Sequence, residues 1–243
     1  MRKTIIVTGS SGEIGLAICK KLIESKYFIV GLDNKKPKIK SNFFESIIVD
    51  LEKISSDKNY YQKNKKKIEK IIKKKKINAL INSAAFQVFK DFKRLKFKDL
   101  KKILDINFFS FFRLFRMVEK KLVRNNGFII NISSIHSSLT KKNFTAYSTS
   151  KSALTSLTKS LSIEVGDKIT CICIEPGAVD TNMLFKTLKD KKVYKTLKKN
   201  IPVQKIAEPD DIAKFVNFLI ESKIRYMNGS IVDISGGVKN ILI

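Results

Sequence analysis

The chain has 243 residues, of which 43% are hydrophobic and 9% aromatic. This length is sufficient for one α/β domain with a well-buried core and rather short for two. This composition excludes an intrinsically disordered chain, and no apolar run approaches the roughly 20 residues that a membrane-spanning helix needs. The formal net charge is +27, and the excess of cations is nearly all lysine, spread along the chain.

A charge of this size would suit a nucleic acid, an anionic membrane or an acidic protein as a partner. However, the densest lysine runs, 65–67 and 73–76, flank isoleucines at helical spacing, which predicts the solvent face of an amphipathic helix. Aromatic side chains are not interleaved with these lysines, as a single-strand binding surface requires. We therefore expect neither a nucleic-acid nor a membrane partner, and interpret the charge as compositional drift.

The cysteines favour a reducing compartment. Cys171 and Cys173 share one face of a predicted strand, but no histidine or third cysteine accompanies them, so we expect no metal site. Together with Cys19 they are interpreted as buried free thiols. Because the first predicted strand begins by Thr4, no targeting segment is expected before it, and the sequence predicts a cytoplasmic protein.

The chain opens with a strand, a glycine loop and a helix. An apolar β-branched run at 3–8 leads into residues 8–15, Thr-Gly-Ser-Ser-Gly-Glu-Ile-Gly, called the glycine loop below, and a helical pattern follows at 13–25. Strand, glycine turn and helix form the context in which a helix N-terminus binds a pyrophosphate. Asp33 ends the second strand, at 27–32, where a carboxylate can accept hydrogen bonds from the adenosine ribose.

Further strands and helices alternate to the end of the chain. Strands are predicted at 46–49, 78–82, 127–133, 169–174 and 230–234, and helices near 60–75, 97–123, 145–164 and 210–221. Short apolar strands between longer amphipathic helices predict a Rossmann-type α/β fold, with about seven parallel strands doubly wound between helices on both faces. With no repeat and no linker, residues 1–243 are expected to form one domain.

Polar and glycine residues follow the predicted strands at the edge where their carboxyl ends meet. These residues are Gly9, Asp33, Asp50, the segment 82–85, Ser133, Ser134, Pro176 and Gly177. Ligands bind at that edge of a doubly wound sheet. The pattern therefore predicts one active site there.

Tyr147 and Lys151 supply acid–base chemistry for that edge. Four residues apart on a helix, they share a face, and a neighbouring ammonium lowers the pKa of a phenol by stabilising the phenolate. Such a tyrosine can exchange a proton with an alcohol or a ketone.

With these positions assembled, the chain resembles the short-chain dehydrogenase/reductase family over essentially its whole length. The resemblance rests on the glycine loop, Asp33, Asp50, Asn82, Asn107, Ser134, Tyr147-x-x-x-Lys151, Pro176-Gly177-x-x-x-Thr181 and a closing segment at 229–237. It implies four catalytic residues, namely Asn107, Ser134, Tyr147 and Lys151. It also implies a set of dinucleotide-binding residues: Gly9, Ser11, Gly12, Glu13, Ile14, Gly15, Asp33, Asp50, Leu51, Asn82, Ala84, Tyr147, Lys151, Pro176, Gly177, Val179 and Thr181.

The family's mechanism implies a role for each catalytic position. Tyr147 would be the general acid and base, and Ser134 would position the substrate oxygen. Lys151 would bind the nicotinamide ribose and lower the pKa of Tyr147, while Asn107 would hold a water that relays protons. His136, two residues after Ser134, is a candidate substrate contact alongside Ser134 and Tyr147.

The carboxylate of Asp33 would repel a 2′-phosphate, and the glycine loop lacks the basic residue that phosphate-binding relatives place there. Lys35 and Lys36 could compensate in part. We therefore expect NAD as the cofactor in preference to NADP.

The family resemblance also bears on the substrate and the assembly. Residues 178–208 correspond to the flap over the substrate, and their lysines and apolar residues leave open either an amphiphilic or anionic substrate or a solvated surface segment. The helix around Phe108 to Phe115 is apolar nearly all round, and in the family its equivalent packs against a partner subunit. A homodimer or homotetramer is expected.

The sequence thus predicts an NAD-dependent enzyme that interconverts a secondary alcohol and a ketone, with a sugar or sugar derivative as one possible substrate. An NADPH-dependent 3-oxoacyl-carrier-protein reductase is the alternative within enzymes. A non-catalytic protein that binds a dinucleotide or nucleic acid is the alternative from another class, and the intact catalytic set argues against it.

Overall fold

Seven parallel strands form one sheet in the computed structural model, which describes residues 2–188 and 190–241. The strands are β1 (Lys3–Thr8), β2 (Phe28–Asp33), β3 (Phe44–Ile48), β4 (Lys76–Asn82), β5 (Phe128–Ile132), β6 (Thr170–Pro176) and β7 (Ile231–Ile234). Their order across the sheet is β3-β2-β1-β4-β5-β6-β7, and every neighbouring pair is parallel. The chain reverses its winding between β1 and β4, which confirms the doubly wound fold.

Helices connect the strands and cover both faces of the sheet. They are α1 (Glu13–Glu24), α2 (Leu51–Ser56), α3 (Lys58–Ile72), α4 (Phe97–Leu104), α5 (Ser110–Arg124), α6 (Thr145–Glu164), α7 (Asn182–Leu188), α8 (Lys191–Asn200) and α9 (Pro209–Ser222). Side-chain caps begin several of them; Asp50, for example, accepts hydrogen bonds from the amides of Glu52 and Lys53 at the start of α2.

Alternating side chains of the central strands build a core on each face. Ile6 packs into the cluster beneath α2, α3, α5 and α6, whereas Ile5 and Val7 pack into the cluster beneath α1 and α9. A strand buried on both sides presents apolar residues to both faces, which explains why β1, β5 and β6 are largely apolar rather than alternating. The two cores hold the carboxyl ends of the strands at a fixed edge.

The predicted strands and helices are found within about three residues of their expected positions, with three exceptions. The helix predicted at 97–123 is two helices, α4 and α5, joined by a π-helical turn at Asp105–Phe109 that carries Asn107. The short helix α2 was not predicted. The flap segment, 178–208, contains α7 and α8, which the lysine-rich sequence did not reveal.

Across the residues that the structure describes, every helix is too short or too polar to cross a membrane.

The glycine loop is packed so closely that its two later glycines should respond differently to substitution. A Cβ on Gly15 would lie 2.0 Å from the carbonyl oxygen of Gly9, while a Cβ on Gly12 would lie 3.5 Å from it. We expect Gly15→Ala to lower the free energy of unfolding by about 1–3 kcal/mol, because overpacking outweighs the gain of about 1 kcal/mol in helix propensity.

Urea unfolding measures this difference, with Gly12→Ala as the matched control, which we expect to cost about 1 kcal/mol or less. Equal stability of the two variants would show that the loop does not pack as described.

Candidate active site

The carboxyl ends of the strands border one large cavity of about 920 Å³. This volume lies within the range of small-molecule and cofactor sites, about 300–1,000 Å³. One end of the cavity is formed by the glycine loop and the ends of β2 and β3, and the other by the segment after β5 and the start of α6. These are called the dinucleotide end and the reaction end below.

Nearly all the predicted site residues line this cavity. They are Gly9, Ser11, Gly12, Glu13, Ile14, Gly15, Asp33, Asp50, Leu51, Ala84, Ser134, His136, Tyr147, Lys151, Pro176, Gly177, Val179 and Thr181. Asn82 and Asn107 are the exceptions, and both lie behind the cavity wall.

The glycine loop has the shape of a cradle for a phosphate group. Gly9 adopts a φ of +68°, and a Cβ there would lie 2.7 Å from the Ala84 backbone, so only glycine fits between β1 and the segment after β4. Gly12 is the N-cap of α1. Because glycine has no side chain to accept their hydrogen bonds, the first-turn amides of α1 are available to a ligand. These features fit the pyrophosphate of a dinucleotide.

Asp33 joins the loop to the end of β2. Its carboxylate accepts hydrogen bonds from the amide of Ser11 at 2.9 Å and from the amide of Lys35 at 3.2 Å. The side chain is 9% exposed and borders the cavity. A fixed carboxylate at this position can accept hydrogen bonds from ribose hydroxyls, and it disfavours a phosphate in the same place.

The two asparagines behind the wall fix the segment that follows β4. Thr8 donates through its hydroxyl to Asn82 Oδ1 at 3.0 Å and accepts from the amide of Ala84 at 3.2 Å. Asn107 accepts from the amide of Phe86 at 2.7 Å and donates to Ser150 Oγ at 2.9 Å. In this structure both carboxamides contact protein groups, and the cofactor role of Asn82 and the relay role of Asn107 stay predictions.

Tyr147, Lys151 and Ser134 meet at the reaction end. Tyr147 and Lys151 share a face of α6, with the Lys151 ammonium 5.6 Å from the centre of the phenol ring. The ammonium donates to the carbonyl of Ile132 at 2.8 Å, which ties α6 to the end of β5. Ser134 lies two residues after the end of β5 and begins a 3₁₀ turn, in which its hydroxyl accepts a hydrogen bond from the amide of His136 at 3.2 Å.

Burial sets the protonation of this pair and corrects one expectation. It raises the pKa of Tyr147 to about 12, against the opposing effect of the Ser134 hydroxyl, whereas the sequence predicted a lowered value. Burial also lowers the pKa of Lys151 to about 8. The reason is that both side chains are nearly out of contact with water, at 8% and 2% exposure, so each charged form is disfavoured.

Aromatic rings form the wall of the reaction end, and sequence reasoning did not identify most of them. The Phe144 ring lies 5.8 Å from the Tyr147 ring, 4.5 Å from the His136 ring and 5.6 Å from the Phe89 ring, measured between centres. Lys141 and Gln87 also line this end. The only signal for Lys141 and Phe144 was their place in the loop between Ser134 and Tyr147.

Glu13 anchors the flap to the glycine loop. Its carboxylate accepts hydrogen bonds from the backbone amide of Asn182, at 3.1 Å, and from that residue's side chain. Thr181 accepts from the amide of Leu184 at 3.3 Å, at the start of α7. The flap therefore closes one side of the cavity, and Met183, Leu184, Lys186 and Thr187 line it.

Comparisons with known proteins agree with this geometry. Residues 9–239 match the sequence profile of a family described as Enoyl-(Acyl carrier protein) reductase. A 3-oxoacyl-[acyl-carrier-protein] reductase FabG from Rickettsia typhi is 31% identical over 97% of this chain and 96% of its own. Two solved structures are each 25% identical in sequence to this chain. They are the Thermoplasma acidophilum aldohexose dehydrogenase, with a TM-score of 0.91 over 99% and 95% of the two chains, and a 4-hydroxyisoleucine dehydrogenase complexed with NADH, with 0.89 over 99% and 100%.

The lowered pKa of Lys151 has a consequence for stability. Below about pH 8 the ammonium is charged in both the folded and the unfolded state, so its burial costs stability in full. Between about pH 8 and 10.5 the unfolded chain keeps the proton and the folded chain releases it, so the cost falls as the pH rises. Relative to Lys151→Met, wild type should gain on the order of 3 kcal/mol across this window.

Urea unfolding of both proteins at several pH values measures the gain. The raised pKa values of Cys19 and Cys171 do not depend on Lys151, so they are common to both proteins and cancel in the difference. A difference that does not change with pH would contradict the burial of a titrating ammonium.

Proposed function

The chain belongs to the short-chain dehydrogenase/reductase family of NAD(P)-dependent oxidoreductases, and on that premise we propose that it interconverts a secondary alcohol and a ketone with NAD(H). The observation that carries the proposal is the convergence of Tyr147, Lys151 and Ser134 on the same cavity as the glycine loop and Asp33. A protein that only binds a dinucleotide has no need of the first three.

In this proposal Tyr147 moves the proton. In ketone reduction its phenol gives a proton to the carbonyl oxygen, and in alcohol oxidation its phenolate takes one from the hydroxyl. Ser134 donates a hydrogen bond to the same oxygen and holds it toward Tyr147. The bound dinucleotide supplies or accepts the hydride. With a pKa of about 12, Tyr147 at neutral pH is in the proton-donating form that reduction needs.

Lys151 stabilises the phenolate that proton transfer leaves on Tyr147. Its ammonium has three donors, and within the described chain it donates to the Ile132 carbonyl. The ribose hydroxyls of a bound dinucleotide would accept from it as well. Such partners hold the charge of Lys151, which in turn lowers the pKa of Tyr147 for alcohol oxidation.

The position of Asp33 supports NAD(H) over NADP(H). Its carboxylate is fixed by two backbone amides and borders the dinucleotide end, where Asp50 and Glu52 also line the cavity. A 2′-phosphate near this group would face repulsion at short range. Lys35 lines the same end and is the nearest compensating cation in sequence.

The resemblance to a FabG reductase favours a second candidate, an NADPH-dependent 3-oxoacyl-carrier-protein reductase. The lysines of the flap would suit the acidic carrier of such a substrate. The aldohexose dehydrogenase among the structural relatives supports the first candidate with a sugar or sugar derivative as substrate. The preference for NADH or NADPH separates the two.

We also propose that the enzyme is a homodimer or homotetramer formed through α4 and α5, in the cytoplasm. Phe97 of α4, Phe109 of the π-helical turn and Phe112 of α5 are 80%, 45% and 44% exposed. Exposed aromatic side chains of this kind are typical of a protein interface. The three cysteines are free and buried, in keeping with a reducing compartment.

Replacing Tyr147 by phenylalanine tests the proton transfer. Phenylalanine keeps the ring that packs against Phe144 and His136 but removes the hydroxyl, so we expect dinucleotide affinity to stay within about twofold. Turnover should fall by a factor of about 10² to 10⁴, the usual contribution of general acid–base catalysis. Steady-state kinetics with alcohol and ketone panels and titration with NADH measure the two effects.

Tyr226→Phe is the matched control, because Tyr226 is fully exposed and does not line the cavity. Turnover by Tyr147→Phe at the level of this control would mean that another group transfers the proton.

Asp33→Ser tests the choice of cofactor. Serine keeps one acceptor for the loop amides and removes the charge, so the ratio of kcat/KM for NADH to that for NADPH should fall at least about tenfold, or 1.4 kcal/mol. Asp233→Asn removes a carboxylate from β7, outside the cavity, and should leave the ratio unchanged. A wild type that prefers NADPH would favour the reductase candidate instead.

A further inference from the structure

The carboxylates that line the cavity are confined to its dinucleotide end. The four carboxylates that line it, Glu13, Asp33, Asp50 and Glu52, belong to the glycine loop, β2 and the segment from β3 to α2. The cationic side chains that line the cavity are Lys35 beside Asp33, Lys186 of the flap, and Lys141 and Lys151, which lie near Phe144 and Tyr147 at the reaction end. No carboxylate among the described residues lines the reaction end. Because Lys151 is proposed to bind the dinucleotide ribose, Lys141 is the cation near Tyr147 that is left for a substrate.

Lys141 occupies the mouth of the reaction end. Its ammonium lies 4.4 Å from the centre of the Phe144 ring, and Phe144 in turn contacts Tyr147. The side chain lines the cavity and takes part in none of the ion pairs within the described chain. Lys141 is an exposed residue, and the partial burial of its side chain against Phe144 lowers the pKa of its ammonium.

Gln87 presents a second unused donor. Its amide nitrogen is buried and has no hydrogen-bond partner in the described structure, although the side chain lines the same cavity. Phe89 packs edge-on against Phe144, which brings the segment of Gln87 against the segment of Lys141. A buried amide donor without an acceptor costs free energy unless a ligand supplies one.

We propose that the reaction end holds a subsite for an anionic group on the substrate, a carboxylate or a phosphate, bound by Lys141 and Gln87 next to the carbonyl that Tyr147 and Ser134 contact. The substrate is then an oxo acid, a hydroxy acid or a phosphorylated ketose rather than a neutral alcohol. The inference rests on the proposed function, since it takes the position of the reacting carbonyl from it. It gives the unpartnered ammonium and the unpartnered amide one common acceptor.

Two matched pairs of ketones test the subsite, namely acetoacetate with methyl acetoacetate, and dihydroxyacetone phosphate with dihydroxyacetone. Binding of each compound to the enzyme–NADH complex, or to the NADPH complex if that forms instead, is measured by calorimetry at constant ionic strength. Reduction is followed separately by the loss of the reduced dinucleotide. We expect at least one charged compound to bind about tenfold or more tightly than its neutral partner. The pair that shows the preference identifies the anion as carboxylate or phosphate.

The variants Lys141→Met and Gln87→Leu should lose most of that preference, measured as the ratio of the affinities for the charged and the neutral member of each pair. Lys142→Met is the control for general charge, since the neighbouring Lys142 does not line the cavity, and it should keep the preference. Equal binding of both members of each pair, or equal losses in Lys141→Met and Lys142→Met, would overturn the subsite. If a charged ketone binds through Lys141 but is not reduced, the subsite stands and the proposed redox function fails for that ligand. If neutral ketones are reduced and no charged compound is preferred, the proposed redox function stands and the subsite is overturned.

Discussion

The buried ammonium of Lys151 is the constraint around which the site is organised. It is 2% exposed and donates to the Ile132 carbonyl at 2.8 Å, which fixes α6 against the end of β5. A buried ammonium with unused donors is costly, and its pKa falls to about 8 for that reason. The same burial raises the pKa of Tyr147. Polar groups of a ligand would therefore change the protonation of both side chains. The glycine loop and Asp33 border the cavity where those groups would lie.

Local signals in the sequence predicted most of the fold and much of the site. The apolar runs of β1, β5 and β6 and the helix from Thr145 to Glu164 were identified because burial on both faces, or helical periodicity, acts over a few residues. The glycine loop and Asp33 were identified because each comes immediately after an apolar run that predicts a strand. The resemblance to a family then placed Ser134 and Asn107, which composition and spacing alone did not distinguish from ordinary polar residues.

What the sequence could not predict depends on contacts between distant segments. Glu13 accepts a hydrogen bond from the amide of Asn182, 169 positions away, and this contact holds the flap against the glycine loop. The pairing of Gln87 with the loop of Lys141 depends on Phe89 meeting Phe144, and the π-helical turn at Asn107 depends on the bonds to Phe86 and Ser150. The direction of the Tyr147 pKa was wrong because a sequence gives the neighbour of a group but not its exposure to water.

The central claim is that Tyr147 and Ser134 face the nicotinamide ring of a bound dinucleotide, and a crystal structure of the protein grown with NAD tests it most directly. We expect the pyrophosphate on the glycine loop, the adenosine ribose at Asp33, and the nicotinamide between Lys151 and Thr181 with its reactive face toward Tyr147. A dinucleotide bound away from this cavity, or a nicotinamide ring separated from Tyr147 by protein, would contradict it.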